Sequence, residues 1–333
     1  MIDGKLIRHK YIRFRKNLTR FRKRVYFQAS SAMKANWLYA KTMWKKECYF
    51  GPFTGEFGHL LGHNLPFISH LYSKGVKVHF CGMEIHRPFF VDDKGREIVA
   101  SYVSIRDFFN QSLPNCNTAI GPQDIEAITR KFIETAKSSG LPYWDNSQFE
   151  YYFNFFRWWT LRKGYLKTFN LSRVYKTRAE NSIVIFPRRL NPAADQKKQL
   201  ENNGEVWNYY DVAKMASEYF DKVYVIGHPS FSDVSFDSFD NVEVRITNDN
   251  SQILELCCNS RLIVSQHSGS VYLGEYTNTP VLIIYKGGRV IGDIEITKQF
   301  KAGLGRRHEF SYAFGYNELE KFFNAMSDEK VRN

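Results

Sequence analysis

Apolar residues near the start of the chain fall at Ile7, Tyr11, Phe14, Leu18, Phe21 and Val25, spaced 4, 3, 4, 3 and 4, one stripe of a helix. Arg8, Lys10, Arg13, Arg15, Lys16, Arg20, Arg22, Lys23 and Arg24 flank that stripe. From Cys48 the pattern changes. A short apolar run to Phe50 gives way to a glycine-rich turn, GPFTGEFGHLLGHNLP at 51–66. Leu60, Leu61, Leu65, Phe67, Ile68 and Leu71 then keep a helical period that stops at Gly75. With a second strand at 76–83 (VKVHFCGM) this predicts the βαβ opening of a parallel sheet. Asp92, Asp93 and Gly95 mark a turn, 98–103 reads as a strand and 122–138 as a helix. At 149–169, Phe, Tyr and Trp crowd among Arg157, Arg162, Lys163 and Lys167, which predicts a helix wedged between two domains.

The polar segment 172–181 reads as a linker. Beyond it strands at 182–186 (SIVIF), 222–226 (KVYVI), 242–246, 261–265 (RLIVS) and 280–285 alternate with helices at 206–220, 251–259 and 270–276, before a last helix at 317–326. Val- and Ile-rich strands separated by helices imply a doubly wound parallel sheet. At 333 residues the chain exceeds what one core usually supports. The predicted fold is α/β, two Rossmann-like doubly wound domains with a basic N-terminal helix. Its parts are a basic amphipathic segment 1–46, a first α/β domain 47–172, a second α/β domain 173–315, and a C-terminal helix and tail 316–333.

Charge changes this picture at one place only. Residues 1–46 hold fourteen Lys or Arg against Asp3, a balance of +13, so the rest of the chain, with 33 of each sign, is neutral. An excess confined to an amphipathic stripe suits an anionic membrane surface; a solvated helix and a nucleic-acid arm are the other readings, and the neutral remainder gives a nucleic-acid footprint nothing to continue on. Trp37, Tyr39 and Trp44 suit an interface as well. The cysteines, Cys48, Cys81, Cys116, Cys257 and Cys258, form no C-x-x-C and no zinc-type cluster, which fits a reduced compartment. No apolar run reaches the ~18 residues of a spanning helix, so the expected location is cytoplasmic, peripheral on the inner membrane surface.

Ligands of open α/β sheets bind beyond the carboxyl ends of the strands, so the residues there are the candidates. Gly55 and Gly58 let the backbone of the first turn approach a ligand. Glu56 between them is placed to accept a proton or a hydroxyl hydrogen bond, unless it only offsets a helix dipole. After SIVIF stand Pro187, Arg188 and Arg189, after KVYVI Gly227 and His228, after RLIVS Gln266, His267, Ser268, Gly269 and Ser270. Paired arginines suit a diphosphate or carboxylate, and hydroxyls with a glycine at a helix start suit a phosphate. Each has a plainer alternative: solvated arginines, a turn histidine, or Ser268 as an N-cap.

Taken together, the acid-bearing turn ahead of a Leu-rich helix near Pro66, and the run SRLIVSQHSGSVYLGEYTNTP at 260–280, resemble GT-B glycosyltransferases, and among them the bacterial heptosyltransferase-like group that builds lipopolysaccharide. The resemblance covers about residues 47–75 and 181–290. It implies Glu56 as general base on an acceptor hydroxyl, with His267, Ser268 and Gly269 in the places that hold donor phosphate and sugar and Pro280 matching a later proline; with the strand-end residues Arg188, Arg189, His228 and Ser270, and with Glu275, these make up the expected donor site. His267 stands where that group has an acid, and its phosphate-binding lysine has no clear counterpart unless Arg188, Arg189 or Lys197 takes the part. No D-x-D motif with an apolar lead-in is present, and the resemblance implies catalysis without a bound metal or cofactor. The partners so implied are a nucleotide-sugar, a glycan or glycolipid acceptor and an anionic membrane, with no nucleic acid. Three alternatives stand beside it: a transferase using a CMP-activated keto-sugar acid such as Kdo, a sugar-nucleotide epimerase or hydrolase on the same fold, and a non-catalytic lipid- or nucleic-acid-binding protein.

Overall fold

A computed structural model describes residues 30, 33–54, 57–105, 122–145, 149, 167–187, 207–228, 236–266, 268–285 and 310–328. Two sheets, parallel throughout, organise them. The first holds β1 (Glu47–Phe50), β2 (Lys77–Gly82), β3 (Ser101–Ser104) and β4 (Tyr143–Trp144) in the order β3-β2-β1-β4. The second holds β5 (Ser182–Phe186), β6 (Lys222–Gly227), β7 (Val242–Ile246), β8 (Leu262–Ser265), β9 (Val281–Ile284) and β10 (Phe310–Ala313) in the order β10-β9-β8-β5-β6-β7. Counted from β5, that is 3-2-1-4-5-6, the order of a dinucleotide-type doubly wound sheet. The first sheet shows the opening four strands of the same order.

Alternation along the strands explains how the second sheet is covered on both faces. Ile183 and Ile185 point into one core with α5 (Tyr209–Ser217) and α8 (Tyr316–Asp328), while Val184 points into the other. That other core contains Leu254 and Cys257 of α6 (Asn250–Asn259), Leu273 and Tyr276, and it runs on without a break into Phe50, Leu61, Leu65 and Phe80 of the first domain. Helix α1 (33–45) closes the first sheet from outside: Trp144 Nε1 donates to Thr42 Oγ1 at 3.0 Å, and Tyr39 Oη lies 2.9 Å from His70 Nε2.

Proline shapes the helix after the first turn. Pro66 has no N–H to return to Gly62, and the chain just before it winds as a π turn, Leu60–Asn64, in which Leu65 N–H reaches Leu60 C=O, before α2 (Leu65–Ser73) continues as an ordinary helix. α3 (Pro122–Ser138) has the expected bounds. The strand expected at 98–103 begins at Ser101, because Ile98 N–H is spent on Phe90 C=O at the close of the Asp92–Gly95 turn. The expected linker 172–181 contains a helical turn, α4 (Ser172–Tyr175), and the helix expected at 270–276 is a 3₁₀ turn, Gly269–Tyr272, followed by α7 (Leu273–Thr277). Strands β4 and β10 are additions to the sequence reading. Most of the aromatic stretch 149–169 lies outside the described residues. Its first member, Phe149, packs 5.1 Å from the rings of both Phe50 and Phe67.

Candidate active site

Where strand order reverses, the loops leaving adjacent strands part to opposite faces and open a crevice. In the second sheet the reversal lies between β5 and β8, whose pairing of Phe186 with Ser265 sets the segments from Pro187 and from Gln266 side by side. In the first sheet it lies between β1 and β4, and the loop leaving β1 is the glycine-rich turn. That loop is fastened at its base: Gly51 N–H donates to Trp144 C=O at 3.0 Å and Phe53 N–H to Cys81 C=O at 2.8 Å.

The two crevices face each other through their glycines. A Cβ on Gly58 would sit 3.1 Å from Gly269 Cα, and one on Gly269 would sit 2.7 Å from Gly58 N. Backbone therefore meets backbone where the first-domain helix start crosses the second-domain 3₁₀ turn. Gly62 repeats the arrangement one turn later against the ring of Tyr272, and Tyr276 Oη donates to Leu61 C=O at 2.6 Å. Asn250 Nδ2 adds a bond to Ile85 C=O at 2.6 Å. Gly269→Ala is expected to force these backbones apart and cost about 1 to 3 kcal/mol, the range for overfilling a tight contact. Gly315→Ala, where a Cβ meets nothing within 4 Å, is the control. Calorimetric Tm values of the two variants check this, and equal values would remove the contact as a determinant.

On the second-domain side three hydroxyls form a chain. Ser265 Oγ donates to Gln266 C=O at 2.7 Å, so it accepts from Ser270 Oγ, also at 2.7 Å; Ser270 Oγ in turn lies 2.6 Å from Ser268 Oγ. Each hydroxyl carries one proton. The proton of Ser268 is the one free to turn toward a ligand at the cost of a single bond, and Ser268 is the member of the chain nearest solvent after Gly269 begins the turn. Its side chain makes no N-cap bond. Behind the chain the buried Gln266 accepts from Tyr209 O–H at 3.0 Å, which ties β8 to α5. His228 is half-buried at the end of β6, and burial lowers its pKa. Glu275, on α7, is fully buried (0% exposed).

On the first-domain side His86, in the 3₁₀ turn after β2, is sealed between Phe53 and Phe57, with ring centroids at 5.8 and 5.9 Å. Burial lowers its pKa to about 4, so the ring is neutral near pH 7. Phe57 also reaches toward Gly269, its Cδ1 3.2 Å from a Cβ placed there. Asp92 is a turn residue, accepting from the N–H groups of Lys94 and Arg96 at 2.9 and 3.0 Å.

Of the residues singled out in the sequence, the structure brings Gly58, Ser268, Gly269 and Ser270 together, with His228 one position beyond the end of β6 and Glu275 in the helix behind. Gly55, Glu56, Arg188, Arg189 and His267 lie outside the described residues. Ser265, Tyr272, Tyr276 and His86 are not among those candidates. Ser265 has a usable signal, since it directly precedes the chosen run. His86 has none, as its burial depends on Phe53 and Phe57 folding over it. Among the described residues no group of three His, Cys, Asp or Glu is arranged to hold a metal, and no helix is long and apolar enough to cross a membrane.

No protein-family model matches the chain, and no curated protein matches it. Among solved structures it is similar to E. coli heptosyltransferase WaaC with ADP, at 12% identity over 86% of this chain and 99% of that one, TM-score 0.47. It is similar to E. coli ADP-heptose lps heptosyltransferase II at 10% identity over 86% and 99%, TM-score 0.47. To the glycosyl transferase family 9 protein of Veillonella parvula DSM 2008 the identity is 10% over 85% and 89%, with TM-score 0.45. Likeness at these scores does not carry chemistry; the class of the molecule, a pair of parallel α/β domains meeting at their switch points, rests on its own strand orders.

Proposed function

We propose that the protein is a membrane-peripheral GT-B glycosyltransferase that moves a sugar from a nucleotide-sugar donor to a lipopolysaccharide, capsule or lipid-linked glycan acceptor. One observation carries the reading: the switch-point loops of the two domains meet at Gly58 and Gly269, which joins the turn containing Glu56 to the loop containing the serine chain. Donor phosphate binds at Ser268, Gly269 and Ser270 with Arg188 and Arg189, and His228 and His267 close by. Glu275, buried in α7 behind this loop, supports it from within rather than touching the donor. The acceptor oxygen bonds to the anomeric carbon as the bond from that carbon to the phosphate oxygen breaks. Glu56 takes the acceptor proton, and the nucleotide leaves with the electron pair, its charge met by arginines and hydroxyls in place of a metal ion. Residues 1–46 hold the protein at an anionic cytoplasmic membrane face.

Thermal stability against CMP, UDP, GDP and ADP tests the donor site. Binding to the folded state alone adds about 2.7 kcal/mol at a hundredfold excess over Kd. One nucleotide is expected to shift Tm selectively, Ser268→Ala or Arg188→Ala to abolish the shift, and Glu56→Gln to keep it while turnover falls about 10²-fold or more. CMP as the selected nucleotide would point to a keto-sugar acid donor. A Glu56→Gln enzyme of unchanged turnover removes Glu56 from the mechanism, and no shift with any nucleotide overturns the donor site.

A further inference from the structure

Helix α1 carries two apolar faces, and among the described residues only one is covered. On the covered side Ala35 and Thr42 are buried, and Leu38, Tyr39 and Met43 pack against the first core. On the other side Met33, Trp37 and Trp44 are 68, 71 and 83% exposed, the three most exposed large apolar side chains among the described residues. At 3.6 residues per turn, positions 33, 37 and 44 fall within about 40° of one another, opposite Ala35 and Thr42. Two indoles and a thioether aligned in this way form a surface stripe that a solvated helix has no use for. Lys34, Lys41 and Lys45 run along one edge of it, while Lys46 turns to the covered side and donates to Lys74 C=O at 3.0 Å, and no Asp or Glu stands between residues 30 and 46.

We propose that this face of α1 seats the protein on an anionic lipid surface, with Trp37 and Trp44 at headgroup depth and the lysines against lipid phosphates. The inference rests on the membrane-peripheral reading and adds the face and the residues that make the contact. Indole is apolar with one N–H donor, the combination that settles at a bilayer interface, and the surrounding charge is complementary to acidic headgroups. A second copy fits poorly, because a two-fold contact lays the same patch on itself and sets lysines against lysines. The chain's own stripe at 7–25 is more basic still, with nine Lys or Arg against three in α1, and meets the same objection. Nucleic acid would take the lysines but leave Met33 and the helix-face indoles without a role.

The experiment is flotation of the full chain with vesicles of phosphatidylcholine alone or mixed with phosphatidylglycerol, at about 0.1 M salt. Binding is expected to the phosphatidylglycerol vesicles only. Trp37→Ser/Trp44→Ser, with every Lys and Arg kept, should bind about tenfold or more weakly, while Ile246→Ser, another exposed apolar position, binds as the parent does. Brominated lipid should quench the parent's tryptophan emission, and Trp37→Phe/Trp44→Phe should lose that quenching. Retained binding by the serine variant together with quenching unchanged in the phenylalanine variant overturns the assignment of the face and leaves the membrane-peripheral reading standing. No binding of the parent to either vesicle overturns both. The assignment also fails if Trp37 and Trp44 resist acrylamide quenching without vesicles until residues 1–28 are removed, or if sedimentation shows a dimer, or a complex with nucleic acid, that the serine variant loses.

Discussion

Gly51→Ala is expected to destabilise the protein by about 3 kcal/mol or more, whereas Gly75→Ala costs about 1 kcal/mol. Both glycines have positive φ, +129° and +70°. Gly75 follows α2 in the left-handed region, and a Cβ there meets nothing within 4 Å, so Ala brings only the conformational penalty. Gly51 lies beyond that region, and its Cβ would stand 2.5 Å from Cys81 C=O, the same carbonyl that receives Phe53 N–H. Neither partner is a side chain that can swing away; both belong to the first sheet. The loop would have to leave β2, and the turn containing Glu56 would move with it. Urea unfolding of the two variants measures the contrast. Equal losses would mean that the loop base is not held as described.

The second large effect is a loss of stability in acid that depends on His86. Its folded pKa is lowered to about 4 by burial, against about 6.5 in an unfolded chain. Between those values the unfolded state binds the proton and the folded state does not. Stability therefore rises with pH across this window and falls as pH drops, until the folded ring itself protonates near 4. For His86 the loss from pH 7 to pH 4.5 is about 2 to 3 kcal/mol. His70, beside Tyr39 and likewise lowered to about 4 by burial and then by Lys74 and Lys167, adds a loss of the same sign. In His86→Leu the His86 contribution disappears and all others remain. Unfolding free energies of parent and variant at pH 7 and 4.5 isolate it, and parallel declines would show that His86 is not sealed between Phe53 and Phe57.

The strand runs SIVIF and VKVHFCGM, the helix at 122–138, and the alternation of strand with helix were legible because each depends on a period within a few residues. Knowing that strands alternate with helices was also enough to select strand ends as the place to look, and Gly58, Ser268, Gly269 and Ser270, which the structure sets side by side, were selected in that way. The same reasoning treated Gly58 as room for a ligand, whereas its near neighbour is the backbone of Gly269. It passed over Ser265, whose side chain a strand pattern assigns simply to the buried end of β8, although its hydroxyl anchors the serine chain. The short strand β4 escaped because two residues show no period.

Residue order alone makes this an α/β chain of two parallel halves, confines its excess charge to the first 46 residues, and says which loops follow which strands. Periodicity and charge are properties of neighbours along the chain, so they survive without a fold. It takes the packing of the two sheets to bring the loops after β1 and β8 into contact, to enclose His86 between two phenylalanines, and to cover one apolar face of α1 while Met33, Trp37 and Trp44 stay exposed. Those facts depend on strand order and on which surfaces the two sheets bury against each other, and residues 211 positions apart, Gly58 and Gly269, carry no local mark of their contact.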